Sequence, residues 1–146
     1  MKKTAFFVYD EELITSDFRE ACELLRLRGY DLCIICQGAR LNEKQYWELS
    51  KLFKTELGVD TFLICQHDEN TSCICKPPQP YLIDLYLKSR KVDPEDCLFF
   101  APSFSYVCMG HAAKISRVSF VPPDWSTGVL GAVKKRLATT PAPPTV

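Results

Sequence analysis

The chain has 146 residues, of which 47% are apolar and 25% are charged, which is the composition of an ordinary globular domain and excludes a disordered chain. Its 18 basic and 18 acidic residues cancel. This balance argues against nucleic acid or an acidic membrane surface as a partner, because both attract strongly basic proteins.

Short apolar runs alternate along the chain with segments of helical periodicity. Residues 5–9 and 32–36 are continuous apolar runs, typical of strands buried on both faces. Residues 61–65, 97–101 and 117–121 are predicted as three further strands. The predicted helices are residues 15–28, 42–57, 80–87, 103–113 and a last helix from Ser126 or Thr127 to about Leu137. This alternation predicts an α/β fold, with helices covering both faces of a central parallel sheet.

The two ends of the chain carry little structural signal. Lys2 and Lys3 precede an apolar stretch that already ends at Asp10, whereas a secretory signal needs a longer apolar region. No apolar run approaches the roughly 20 residues of a membrane span. We therefore expect a cytoplasmic protein with one domain in residues 1–138, followed by a disordered tail, rich in Pro and Thr, in residues 139–146.

Four metal-ligand residues follow the third predicted strand. Cys65, His67, Cys73 and Cys75 have the spacing C-x-H-x5-C-x-C. Thiolate and imidazole groups are the usual ligands of Zn²⁺, and four of them complete a tetrahedral shell. A complete shell leaves no position for an activated water molecule, so we predict a structural zinc that fastens a long polar loop.

The remaining cysteines lie in predicted helices or strands. Cys22 falls on an apolar helix face, Cys33 and Cys97 fall in strands, and Cys108 falls in a short helix. We predict that these four are packed thiols.

The zinc-loop segments at residues 62–67 (FLICQH) and 73–78 (CICKPP) resemble those of one group in the haloacid dehalogenase (HAD) superfamily. That group contains histidinol-phosphate phosphatase and heptose-bisphosphate phosphatase. The strand order and helix spacing are similar from about residue 4 to residue 121. The resemblance implies a HAD-like, Rossmann-like three-layer fold with a zinc loop at residues 65–76. The short connection after the first strand leaves no room for a large cap domain.

In that family, four motifs at the strand ends perform phosphoryl transfer by positioning and charge neutralisation. The first, D-x-D-G-T, supplies a nucleophile and an acid. In this sequence one register places Tyr9 and Glu11 at these positions, and the other places Asp10 and Glu12 there without the Gly-Thr turn. The hydroxyl of the second motif falls on Ile35 or Cys36.

The third and fourth motifs also differ from the family pattern. The phosphate-binding lysine falls on Pro77, and Lys76 occupies the preceding position. The two carboxylates that bind Mg²⁺ fall on Pro102 and Tyr106, and no acidic residue lies between Asp96 and Asp124. Because Mg²⁺ requires oxygen ligands, this departure argues most strongly against catalysis.

Two functional hypotheses follow from the resemblance. The first is a zinc-binding HAD-like pseudo-phosphatase that binds a protein or a small molecule at a vestigial pocket. The rim residues Tyr9, Cys36, Phe104 and Tyr106 either form an apolar binding site or simply fill the vacated cleft. The alternative is a divergent Mg²⁺-dependent phosphatase acting on a small phosphorylated metabolite. Its expected catalytic residues are Asp10 as nucleophile, Glu11 or Glu12 as acid and metal ligand, and Lys76 as the phosphate lysine.

A zinc-dependent nucleic-acid module is a third hypothesis, supported only by the zinc loop and the basic run of residues 134–136. That run is explained more simply as a solvated end of the last helix, where basic side chains favour the helix dipole. The sequence therefore favours a partner other than nucleic acid.

Overall fold

The computed structural model describes residues 2–9, 13–37, 41–65, 73–121 and 125–139. The strands are β1 (Lys3–Val8), β2 (Tyr30–Gln37), β3 (Thr61–Cys65), β4 (Cys97–Ala101) and β5 (Arg117–Phe120). The helices are α1 (Ser16–Leu27), α2 (Glu43–Leu57), α3 (Tyr81–Arg90), α4 (Phe104–Ala112) and α5 (Trp125–Thr139), with a 3-10 turn at Pro94–Asp96. The strands form one parallel sheet in the order β3-β2-β1-β4-β5, which confirms the predicted α/β architecture.

The limits of the elements differ from the predicted ones by a few residues. Strand β1 ends at Val8, although the Tyr9 amide still donates to Ile35 O at 2.7 Å. Helix α5 continues to Thr139, where the sequence predicts the start of the tail, and residues 140–146 lie outside the described residues. Among the described helices, none has the length and apolar composition needed to cross a bilayer.

One face of the sheet is covered by α1, α2 and α5. Phe7, in the central strand β1, stacks on Phe100 of β4, with ring centroids 4.9 Å apart. The ring of Phe18, on α1, meets Phe7 edge-on at 5.0 Å. Helix α1 also packs against α5 and α2, which places these three helices in one layer.

The opposite face is covered by α3 and α4. Successive strand residues point to opposite faces, so Phe6 points away from α1 and meets the Tyr86 ring of α3 edge-on at 5.4 Å. The Tyr86 hydroxyl lies 3.2 Å from Thr4 Oγ1, which satisfies both groups in the core. The described residues therefore form the predicted three layers and contain no cap domain.

The predicted packed thiols divide into two classes. Cys22, Cys33 and Cys97 are buried, and desolvation raises the pKa of Cys22 and of Cys97 to about 12. These three predictions are confirmed. The prediction for Cys108 is wrong, because this thiol is exposed on α4. The helix buries Met109 and Gly110 against the sheet, and Cys108, next along the chain, points elsewhere.

Two helical glycines differ in the space around them, which predicts opposite effects of the same substitution. A Cβ at Gly110 would lie 2.9 Å from Val118 Cγ2, whereas one at Gly131 would meet nothing within 4 Å. Alanine favours a helix over glycine by about 1 kcal/mol, but overpacking costs about 1–3 kcal/mol. We expect Gly131→Ala to raise the free energy of unfolding by about 0.5–1 kcal/mol, and Gly110→Ala to lower it by about 1 kcal/mol.

Urea denaturation of both variants tests this expectation. A stabilised Gly110→Ala variant would mean that Val118 moves aside at no cost and that α4 packs less tightly than described.

Candidate functional site

The carboxyl ends of the parallel strands share one edge of the sheet, where ligands bind in folds of this kind. Cys65 is the last residue of β3 at this edge. Residues 73–80 then approach the same edge and lead into α3. The chain therefore returns Cys73 and Cys75 to the point where β3 ends.

The sulfur atoms of Cys65, Cys73 and Cys75 lie close together. The Sγ–Sγ distances are 3.5 Å from Cys65 to Cys73, 3.3 Å from Cys73 to Cys75, and 2.7 Å from Cys75 to Cys65. Cys65 and Cys75 are buried and Cys73 is half-buried. Three of the four predicted zinc ligands are thus together, and the fourth, His67, lies outside the described residues.

The arrangement of these sulfurs fits a zinc ion. A Zn–S bond of about 2.3 Å places sulfurs about 3.8 Å apart in a tetrahedron. The two longer separations are within about 0.5 Å of that spacing, and the Cys65–Cys75 pair needs to widen by about 1 Å. Thiolates are ligands that select zinc over Mg²⁺ or Ca²⁺. The described part of the site can therefore supply three sulfur ligands to one zinc ion.

The surroundings shift the pKa values of Cys73 and Cys75 in opposite directions. Desolvation, and then the contact with Cys65, raise the pKa of Cys75 to about 12. Desolvation acts in the same direction on Cys73, but hydrogen bonds with Cys75 and Cys65 outweigh it and lower the pKa of that thiol. The positive charge of Lys76 favours the Cys73 thiolate further. Zinc binding requires the deprotonated form, so a cation at this position aids assembly of the site.

The proposed catalytic trio is placed only in part. Lys76 is half-buried beside Cys73 and precedes a cis peptide bond between Pro77 and Pro78. Asp10 and Glu12 lie outside the described residues. The trio stays a prediction, as does the choice between Tyr9 and Asp10 at the nucleophile position.

The first and second motif positions hold packed side chains. The half-buried Tyr9 ring meets Phe53 of α2 edge-on at 6.0 Å. Cys36 is 2% exposed, and burial raises its pKa to about 11, so it is a neutral thiol near pH 7. Cys36 therefore fills space in the packed interior, because so little of its side chain is accessible to a ligand.

The segment at the position of the fourth motif begins α4. Ser103 Oγ accepts a hydrogen bond from the Tyr106 amide at 3.4 Å, which caps the helix. Phe104 is 75% exposed and stacks on Phe120, with centroids 5.2 Å apart. Phe104 is one of the predicted rim residues and Phe120 is not, although Phe120 lies near the end of the predicted strand at residues 117–121. Together they form an exposed aromatic pair at this edge.

No protein-family model matches the chain, and no curated protein matches its sequence. Solved structures do match. The structure of D,D-heptose 1,7-bisphosphate phosphatase from B. bronchiseptica, complexed with magnesium and phosphate, has a TM-score of 0.76 at 11% identity, covering 94% of this chain and 99% of that chain. A protein named as a HAD-like phosphatase from Mesorhizobium loti has a TM-score of 0.70 at 12% identity, covering 92% and 87%.

A third match is the core domain of a protein named as a phosphoglycolate phosphatase from Streptococcus pneumoniae. Its TM-score is 0.68 at 14% identity, and the match covers 96% of this chain and 98% of that one. Identities this low establish the fold alone. The chain has the HAD-like phosphatase fold, as the zinc-loop resemblance implied.

Proposed function

We propose that this protein is a zinc-binding HAD-like pseudo-phosphatase, a non-catalytic domain that acts by binding a protein or a small molecule. The observation that carries the proposal is the segment after β4. By the family resemblance, Pro102 and Tyr106 fall at the positions of the Mg²⁺ carboxylates, and in this structure the Ser103 hydroxyl caps α4. This segment offers no carboxylate oxygen to a magnesium ion.

Loss of these groups bears directly on the chemistry. Transfer of a phosphoryl group requires cations and hydrogen-bond donors that offset its charge in the transition state. The second motif position holds the buried neutral thiol of Cys36 or the side chain of Ile35, and neither stabilises an anion. Each such loss ordinarily slows catalysis by about 100-fold or more.

Zinc has a structural role in this proposal. Cys65, Cys73 and Cys75 hold the ion, and His67 completes the shell. Bound there, zinc supplies folding free energy instead of an activated water, because a full shell leaves no open position. The ion ties the end of β3 to the segment that enters α3.

A divergent Mg²⁺-dependent phosphatase is the second candidate. It is favoured by Lys76, whose charge lies at the same edge of the sheet, and by the heptose-bisphosphate phosphatase of similar fold, whose structure contains magnesium and phosphate. In this candidate Asp10 is the nucleophile, Glu12 is the acid, and Lys76 neutralises the phosphate.

A phosphatase assay separates the two candidates. Zinc-loaded protein with excess Mg²⁺ is expected to hydrolyse an aryl phosphate, histidinol phosphate and a sugar bisphosphate no faster than its Asp10→Asn variant. The physical reason is that a bound phosphate would have no magnesium ion to offset its charge, and Pro77 falls at the position of the family's phosphate-binding lysine.

Turnover that disappears in Asp10→Asn would contradict the pseudo-phosphatase proposal and identify Asp10 as the nucleophile. Lys76→Met then serves as a second variant, because an active enzyme that uses this lysine would lose activity with it. Zinc content is measured in every sample, so that loss of fold is not mistaken for loss of chemistry.

A further inference from the structure

The two outer strands of the sheet are protected to different degrees. At one edge, Arg136 of α5 reaches across β5, donating from Nη2 to Val118 O at 2.9 Å and from Nε to Ser119 Oγ at 2.7 Å. A charged side chain over an edge strand discourages pairing with another strand. The β5 edge is therefore blocked by its own chain.

The opposite edge, β3, has less protection in the described residues, because Arg90 Nη2 of α3 donates at 3.0 Å to the side-chain Oγ1 of Thr61, at the start of the strand, and not to the strand backbone. Its sequence, TFLIC, contains no charged residue and no proline. Phe62, Leu63 and Ile64 are only half-buried, whereas β4 is buried throughout. The Tyr9 amide donates to Ile35 O, so Ile35 faces β1 and its neighbour Ile34 faces β3. In the register that sets Ile34 opposite Phe62, Ile34 bonds to Thr61 and Leu63, which turns the N–H and C=O of Phe62 and Ile64 away from β2.

Helix α2 lies over β3 and presents one side to this edge. Its other side faces α1, as the 3.0 Å ion pair between Glu56 and Arg19 shows. Trp47 precedes Glu56 by nine residues, which is two and a half turns, and so projects from the opposite side of α2, toward the β3 edge. The indole is 63% exposed and packs edge-on against Tyr46, which in turn contacts Phe62.

Four residues of α2 form a stripe on this side. At about 100° per residue, Glu43, Trp47, Ser50 and Lys54 fall within about 60° of one another. The order along the stripe is acid, large aromatic, small polar, base. The two halves have equal spacing, four residues from Glu43 to Trp47 and four from Ser50 to Lys54.

We propose that the β3 edge together with this α2 stripe is a docking surface for a second copy of this chain. The two copies pair antiparallel through β3 about a two-fold axis near Leu63, which joins the two sheets into one of ten strands. The occupant is a second copy because the surface is complementary to itself under a two-fold rotation.

The complementarity has a backbone part and a side-chain part. With Leu63 on the axis, Phe62 of one copy lies opposite Ile64 of the other, and these outward-facing residues exchange both N–H···O=C bonds as an antiparallel pair. Phe62 contacts both Tyr46 and Phe53, which lie on either side of the middle of α2. The two-fold axis near Leu63 therefore also passes close to the middle of the α2 stripe. Antiparallel stripes then place Glu43 against Lys54 of the second copy, and Trp47 against Ser50.

The area that this surface can bury limits the affinity expected for the dimer. A standard stable interface buries about 800 Å² per partner, and five strand residues with one helix stripe provide less than that. The dimer therefore forms reversibly with concentration.

Sedimentation velocity on the zinc-loaded chain between about 5 µM and about 500 µM is the first test, and a concentration-dependent dimer is expected. Lys54→Glu places two acids in contact and Glu43→Lys two bases, so each is expected to weaken dimerisation at least about tenfold. The double variant is expected to restore it. Glu48→Lys, exposed on a side of α2 away from the stripe, is the matched control and leaves the dimer unchanged.

Amide hydrogen exchange reports on the strand itself. The Phe62 and Ile64 amides are expected to gain protection as concentration rises, whereas the Leu63 amide, which points to β2, is protected throughout. A monomer at every concentration overturns the proposal. A dimer indifferent to the charge variants, or one without added protection of Phe62 and Ile64, also overturns it, because the contact then lies elsewhere. Circular dichroism of each variant confirms that α2 remains folded.

Discussion

The protein purified from a zinc-containing medium is expected to hold about one zinc ion per chain, and Cys75→Ser is expected to lose it. Cys75 is buried and lies within 3.3 Å of both other sulfurs, so its replacement by a poorer ligand removes a central donor. Loss of outer-shell partners alone lowers zinc affinity about 10–100-fold. We expect loss of this direct ligand to lower it by at least about 100-fold.

Loss of zinc is also expected to lower the free energy of unfolding. A structural zinc contributes folding free energy, and a ligand present at about 1,000 times its Kd stabilises the folded state by about 4 kcal/mol. Cys75→Ser, or chelation of the metal, should lower the free energy of unfolding by about 4 kcal/mol. Metal analysis by mass spectrometry and urea denaturation with and without chelator measure the two effects.

Cys108→Ser is the matched control, because this thiol is exposed and remote in sequence from the cluster. It should retain zinc and unfold as the parent does. A Cys75→Ser variant with undiminished zinc content would refute the metal site and leave the sulfur cluster as packing alone.

Phe7→Ala should lower the free energy of unfolding by about 3–5 kcal/mol, a large part of the roughly 5–15 kcal/mol that stabilises a domain of this size. Phe7 is fully buried in the central strand, between the stacked ring of Phe100 and the edge of Phe18. Its removal leaves a cavity beneath α1 that rigid neighbouring strands cannot fill. The midpoint of urea unfolding measures the loss.

Phe104→Ala deletes the same atoms at an exposed site and is expected to cost about 1 kcal/mol or less, the worth of its stacking on Phe120. A similar loss in both variants would mean that burial of Phe7 between strand and helix is not what stabilises the sheet.

The fold could be predicted from the sequence because the local signals agree with one another. The capping box of Asn42 and Gln45 and the left-handed Gly58 delimit α2 as the pattern indicates. The buried strands are continuous apolar runs, which only a sheet covered on both faces accommodates. The clustering of Cys65, Cys73 and Cys75 was likewise predictable, because close spacing after a strand limits where the sulfurs go.

Other features depend on contacts that a linear pattern does not contain. The exposure of Cys108 follows from how α4 rotates against β4 and β5, which its weakly patterned sequence does not specify. The outward side of α2 is defined only by the ion pair of Glu56 with Arg19. The pairing of Phe104 with Phe120 requires knowing that α4 begins beside the end of β5.

The order of the strands also constrains how the chain is made. Strand β1 is synthesised first yet occupies the centre of the sheet, where it pairs on one side with β2 and on the other with β4, Thr4 lying opposite Cys97. During translation, half of its backbone hydrogen bonds must wait until β4 has left the ribosome. Contacts this distant in sequence also slow refolding, since a long loop must close before they form. Over that interval the apolar residues of β1 lack one of the two strands that flank them in the folded sheet.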